Sequence, residues 1–274
     1  MRAISLLFHD VYARDPAESG FKSAAAARYK LSVPGFDAQL AGVRRARRDR
    51  PILCDAIMRV AESTSPDAVP FLITVDDGGV SYYQCVAEQL ARYGWRGHCF
   101  VSTNFIDDPG FLSRAQIREL DRHGHLVGSH SASHPTRFST LSFDQMVSEW
   151  SRSRRVLEDI LGHTVDVASV PGGYFSAVVA RAAVEAGIRT LFTSEPVTAV
   201  DERNGCTLIG RFTIRRGDPN DTAQRLVSGT SWARAAAWAS WNAKGLVKPL
   251  LGPSYARIAD WLLAPGGPTT SRTS

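Results

Sequence analysis

Short apolar runs alternate with helix-like stretches along most of the chain, and this alternation narrows the possible folds more than any other feature. Residues 4–8, 71–75, 97–101, 126–128, 165–170, 188–193 and 207–214 read as strands. Residues 36–47, 80–91, 113–122, 142–160 and 176–186 read as helices, with Ser113 as an N-cap and Gly187 as a stop. Strand–helix–strand repetition at this spacing predicts right-handed βαβ units and a parallel sheet, open or closed into a barrel. The length of 274 residues suits one such barrel.

In parallel barrels, chemistry gathers at the C-terminal ends of the strands. Those ends here read His9-Asp10, Asp76-Asp77, Ser102-Thr103, Ser129-His130, Pro171-Gly172 and Thr193-Ser194-Glu195. The densest is Asp76-Asp77-Gly78-Gly79, where two acids close an apolar strand. Neighbours on a strand point to opposite faces, so both carboxylates reach one site only if the chain bends there. Near a cation, one could ligate and the other act as base. The competing reading is a solvated Asp-Gly turn. His130 and His134 lie four residues apart, a spacing that places two imidazoles on one side of a helical turn. Buried, hydrogen-bonded histidines are the competing reading. With a carboxylate they would form a three-ligand site open to water and substrate, which suits catalysis.

The segment Thr74-Val75-Asp76-Asp77-Gly78 resembles the TFDDG motif of the NodB-type polysaccharide deacetylases, carbohydrate esterase family 4. His130-Ser131-Ala132-Ser133-His134 is similar to that family's second motif, H-[S/T]-x-x-H, and Ser169-Val170-Pro171-Gly172-Gly173 resembles its third, R-x-P-x-G. The resemblance runs from about Ile4 to Arg216. It implies an α/β fold, a distorted (β/α)7 barrel, and hydrolysis of an N-acetyl group on an amino sugar within a glycan or its precursor. Carried over by position, Asp77, His130 and His134 would bind a divalent metal, Asp76 would be the general base, and Gly172 would offer its backbone N–H to the oxyanion. Zinc suits this ligand set best, and cobalt, nickel or iron would also fit.

The sequence departs from the family in three places. No histidine follows His163, so the late L-x-I-H motif is absent. Its replacement is His9, in a strand similar to the Y-H-x-[VI] strand of a permuted branch of the family. A structural hydrogen bond at the barrel mouth is the other reading of His9. Ser169 stands where the third motif has the arginine that orients the base, and Arg211 or Arg215 are the residues that could reach in instead. The fourth motif is degenerate at Thr193-Ser194-Glu195-Pro196. A hydrolase of the same fold acting on a non-sugar amide or an O-acetyl ester, and a catalytically weak glycan-binding scaffold, are the alternatives.

The expected layout is a barrel over 1–216, a helical appendage over 217–264 and a disordered tail over 265–274. Trp232, Trp238 and Trp241 lie among basic residues, which suits either an anionic membrane surface or packing on the barrel. The net charge of +5 is modest, and the cluster Arg44, Arg45, Arg47, Arg48 and Arg50 lacks interleaved aromatics. A nucleic-acid partner is therefore not expected. No secretory signal and no apolar run of about 18 residues is visible, so a cytoplasmic location, or the membrane's inner face, is expected. The dispersed Cys54, Cys85 and Cys99 read as small buried hydrophobes, and His98, His123, His125 and His163 as structural.

Overall fold

The computed structural model describes residues 1–57, 69–173, 175–229 and 232–243. The apolar runs become β1 (Ile4–Phe8), β4 (Phe71–Val75), β5 (His98–Val101), β6 (Leu126–Ser129), β7 (Val167–Ser169) and β8 (Thr190–Phe192). Their order in the sheet is sequential and every one of these pairings is parallel.

The predicted strand over 207–214 is in fact two. It breaks at Gly210-Arg211 into β10 (Cys206–Ile209), which pairs with β8, and β11 (Phe212–Thr213), which pairs with β1 on the opposite side of the sheet. The bend needs glycine, because a Cβ at position 210 would lie 2.4 Å from the Glu195 carbonyl oxygen. Counted once, this bent segment brings the parallel strands to seven and curls the sheet into the distorted barrel. An antiparallel strand not foreseen, β9 (Val200–Arg203), lies outside β10. A second unforeseen element is the insertion between β1 and the helix Val33–Ala46. It holds β2 (Val11–Tyr12), β3 (Leu31–Ser32) and the short helix Ala24–Ala27.

Strand alternation sorts the core into two layers. Phe71, Ile73 and Val75 face outward and pack with Phe36, Leu40, Val86 and Leu90 of the covering helices. Leu72, Phe100, Phe192 and Ile209 cluster inside the barrel as a small apolar plug. Continuing the same alternation, Thr74 and Asp76 follow Leu72 on the inner face, above the plug.

The helices begin where capping chemistry starts them. Ser113 and Ser142 each form a capping box, with Gln116 and Gln145, at the heads of Arg114–Arg122 and Phe143–Leu161. Ser176 caps Ala177–Glu185, and Gly187 follows its end with φ of 86°. Of the expected appendage, Thr222–Val227 buries Ala223, Leu226 and Val227 in the main core. Residues 232–243 are helical, with Ala233 and Ala237 against that core and Trp232 and Trp238 turned to solvent. The remainder of the appendage beyond 243 and the expected tail lie outside the described residues.

Candidate active site

The bend required to bring both acids to one site is present. Asp76 ends the inner face of β4, and Asp77 takes φ of 79°, which turns its carboxylate into the same cavity. The HxxxH spacing is realised differently from the expectation. Residues 130–134 are not a helical turn but an irregular loop, with Ser131 and His134 at φ of 65° and 51°. Reversal by these two left-handed residues, rather than helical periodicity, points both imidazoles at Asp77.

This loop is held from below. Glu149, two turns into Phe143–Leu161, accepts the backbone N–H groups of Ala132 and Ser133 and the Ser133 hydroxyl at 2.8–3.0 Å. Ser129 Oγ accepts the Ser131 N–H, and Ser131 Oγ accepts the His134 N–H. Thr103 and Asn104 donate their backbone N–H groups to Ser131 and Ala132, so the end of β5 braces the loop as well. These contacts offset the cost of the strained backbone, about 1–3 kcal/mol per residue held in the left-handed region.

Asp77 Oδ1 lies 3.5 Å from both His130 Nε2 and His134 Nε2. One ligand atom from each of the three residues lies within 4.8 Å of the others. Their chemistry fits a divalent cation: two imidazole nitrogens and a carboxylate oxygen converge, and His130 is oriented from behind. Its Nδ1 is 3.1 Å from the Ser169 carbonyl and 2.6 Å from the Ser169 hydroxyl. A proton on Nδ1 donated to Ser169 leaves the Nε2 lone pair free to bind. Burial lowers His134 to about 4, aided by the charge of His130, so its ring is neutral and able to ligate. Burial opposes ionisation of Asp77, yet the hydrogen bond with His130 and the imidazoles gathered around it outweigh that cost and hold its carboxyl below the usual range.

Asp76 is held by a residue 135 positions further along the chain. Arg211, 0% exposed at the Gly210-Arg211 bend, donates to both carboxylate oxygens, Nη1 to Oδ1 at 2.6 Å and Nη2 to Oδ2 at 2.8 Å. Arg211 Nε donates to the Thr193 carbonyl, and the guanidinium lies between the rings of Phe100 and Phe192, 5.8 and 5.9 Å from their centroids. Arg211 thus places beside Asp76 the cation that the third motif lacks. Ser169 is not a mere loss either, since its hydroxyl donates to Asp76 Oδ1 at 3.1 Å and couples that carboxylate to His130. Burial would raise the Asp76 carboxyl, but Arg211 and then His130 outweigh it, and the group is held below its ordinary value.

His9 leaves the end of β1 for the same cavity, packed against Tyr29 at a tilt with ring centroids 4.8 Å apart. Its Nδ1 is buried with no hydrogen-bond partner, so the structural hydrogen bond considered for it is not made by that atom. Burial lowers its pKa, against the opposing pull of Asp77 and Asp76. Gly172 sits on the rim with φ of 63°. The cavity is about 610 Å³, and one wall is the unforeseen insertion, which contributes Phe21, Ala26 and Tyr29. Phe21 packs on His134 with centroids 4.7 Å apart. Ser102 and Thr103 brace this site from the side and do not line the cavity. Of the features missed in the sequence, Glu149 carries no local signal, and the insertion shows only as a polar stretch between two apolar runs.

His98 and His125 belong elsewhere. His98 donates Nδ1–H to the Ile73 carbonyl and accepts the Cys54 N–H on Nε2. His125 Nδ1 accepts from the Tyr82 hydroxyl at 2.9 Å. Cys54, Cys99 and Cys206 are buried, Cys85 partly so, and all four are free thiols.

Residues 64–191 match the family model described as polysaccharide deacetylase. YxkH of Bacillus subtilis, whose name places it with the polysaccharide deacetylases, is 26% identical over 145 residues, 53% of this chain and 52% of its own. The match therefore spans about half that relative's length. Among solved structures, the Streptococcus pyogenes deacetylase PplD, in complex with acetate, superposes with a TM-score of 0.67 at 18% identity, covering 81% of this chain and 96% of its own. IcaB from Ammonifex degensii gives 0.63 at 20%, covering 87% and 97%. At these identities, the likeness is one of fold.

Proposed function

We propose that this chain, a member of the NodB-type polysaccharide deacetylase family, is a hydrolase that removes an N-acetyl group from an amino sugar in a glycan or glycan precursor. The observation that carries this reading is the two-point grip of Arg211 on Asp76 beside the Asp77, His130 and His134 cluster. A proton acceptor held ionised next to a ligand set of this kind is what amide hydrolysis requires.

Asp77, His130 and His134 would hold the cation, and two nitrogens with one carboxylate favour zinc. When bound, it would polarise the acetamide carbonyl and acidify a water molecule. Asp76 would accept a proton from the attacking water on a carboxylate oxygen. Arg211 fixes the carboxylate plane and keeps it charged, at the cost of some basicity. The Gly172 N–H steadies the negative charge that develops on the carbonyl oxygen. His9, the one imidazole in the cavity outside the ligand set, delivers a proton to the departing amine. Phe21 and Tyr29 line the cavity wall with apolar ring surface that a pyranose ring can contact, which favours a sugar over a small amide.

Trp232 and Trp238, 73% and 52% exposed, support a further contact with an anionic membrane surface on its cytoplasmic side, where four thiols stay reduced. Among the described residues, no helix is long and apolar enough to cross a membrane. Vesicle co-sedimentation at low salt, with and without Trp238→Ala, checks that contact.

The function is tested by acetate release from N-acetylated glucosamine oligosaccharides, an O-acetylated sugar and a simple acetamide, each with added zinc. The N-acetylated sugar should be the best substrate, and Asp76→Asn should lower its turnover by about 10²-fold or more. Faster release from the ester or the acetamide would move the assignment to the corresponding hydrolase, and no release from any would favour a binding scaffold.

A further inference from the structure

Two arginines stand four residues apart on the segment that closes the barrel, and among the described residues only one has a carboxylate partner for its guanidinium. Arg211 is saturated by Asp76 and the Thr193 carbonyl. Arg215, just beyond β11, also lines the cavity, yet among the described residues its guanidinium has no carboxylate partner. It lies 5.8 Å over the Tyr29 ring, which in turn packs against His9. Its Nε is buried without an acceptor. Asp218, the nearest acid in sequence, accepts the backbone N–H of Arg215 and makes no ion pair with its side chain.

A buried, unsatisfied donor on a permanent cation is costly unless something else satisfies it. The rest of the cavity's charge points the same way. Asp76 is neutralised by Arg211, and Asp77 belongs to the candidate ligand set. Lys22, exposed on the insertion wall, is likewise without an ion-pair partner among the described residues. With both acids accounted for, the cavity wall keeps two cations, Arg215 on the Tyr29 side and Lys22 on the insertion.

We infer that Arg215, seconded by Lys22, forms an anion subsite, and that the substrate is an acetamido sugar carrying a phosphate or carboxylate group close to the acetamide. This rests on the deacetylase reading and specifies its substrate class. The planar guanidinium, braced on Tyr29, presents paired N–H donors to two oxygens of one anionic group. The sugar then spans the cavity, with its charged group at Arg215 and its acetamide between Asp76 and His9.

The test is calorimetric binding of N-acetylglucosamine, N-acetylglucosamine 1-phosphate and N-acetylmuramic acid to the wild type, Arg215→Gln and Arg215→Lys, with acetate release followed in parallel. At least one anionic sugar should bind roughly tenfold or more tightly than the neutral one. Whichever anion gains more identifies the source as phosphate or carboxylate. The preference should weaken with added salt, collapse in Arg215→Gln and persist in part in Arg215→Lys. The neutral sugar reports whether each variant is folded. Equal affinity for all three sugars would overturn the proposal. So would a preference that survives Arg215→Gln, since direct contact of the anion with a cation at Asp77, His130 and His134 would survive it. An Arg215-dependent preference without acetate release from any sugar would uphold the subsite and remove the deacetylase reading. Acetate release without that preference would do the reverse.

Discussion

His98 and His125 stand at the N-terminal ends of β5 and β6, whereas His9, His130 and His134 stand beyond the C-terminal ends of β1 and β6. At the lower end the rings are enclosed by main chain and Tyr82. His98 uses both nitrogens, one on the Ile73 carbonyl and the other on the Cys54 N–H. At the upper end, His130 spends only Nδ1 on the fold and directs Nε2 at Asp77, while the buried Nδ1 of His9 has no partner at all. Burial lowers pKa at both ends, so depressed basicity does not distinguish a strut from a ligand. What distinguishes them is whether a nitrogen remains available and what it faces.

The sharpest way to break this contrast is to remove one ring from each end. His130→Ala should lower turnover by about 10³-fold or more, because the ligand set loses a member. Its thermal midpoint should move little, since the loop keeps its hold on Glu149. Retention of turnover above a tenth of wild type would remove His130 from the chemistry.

Next in size is the pair that joins the two ends through the barrel interior. Arg211→Met leaves the Asp76 carboxylate buried without its partner, which should cost about 3–5 kcal/mol of stability in urea unfolding. Loss of less than about 1 kcal/mol would mean that Asp76 is solvated or protonated. His98→Ala should cost about 2–3 kcal/mol, from the stranded Cys54 N–H and Ile73 carbonyl together with the cavity left behind. Turnover per folded molecule should stay near wild type, and a fall comparable with that of His130→Ala would erase the distinction.

The smallest effect is on pH dependence. His98 and His125 are each lowered to about 4, with burial as the main cause. Their folded pKa lies below the unfolded value of about 6.5, so the unfolded chain binds more protons between these limits. Stability should be fully present above about 6.5 and decline as the pH falls towards 4. Melting temperatures that stay flat across this window would show that neither ring is held neutral.

The order of strands, the helix caps and the candidate ligand residues were legible because each is a local pattern: apolar alternation, Ser three residues before Gln, and two motifs with short fixed spacing. Arg211 was harder to place. It and Arg215 are equally spaced candidates on one segment, and only the bend at Gly210, forced by the Glu195 carbonyl, turns position 211 inward. The conformation of residues 130–134 was misjudged for a related reason. A spacing of four suits a helical turn, but the loop with left-handed Ser131 and His134 is held at Ala132 and Ser133 by Glu149 of the following helix. The insertion that builds the cavity wall has no periodicity of its own, and its shape comes from buried Lys30, whose ammonium binds the carbonyls of Pro16, Ser19 and Phe21.

The proposed site divides its labour, with Asp77, His130 and His134 holding a cation and Asp76 handling the proton. Metal content of the purified chain, measured on wild type, Asp76→Asn and His130→Ala after identical zinc loading, tests it most directly. One zinc per chain in wild type and in Asp76→Asn, with none in His130→Ala, is the predicted result. A His130→Ala chain that keeps its zinc, or an Asp76→Asn chain that loses it, would contradict the account.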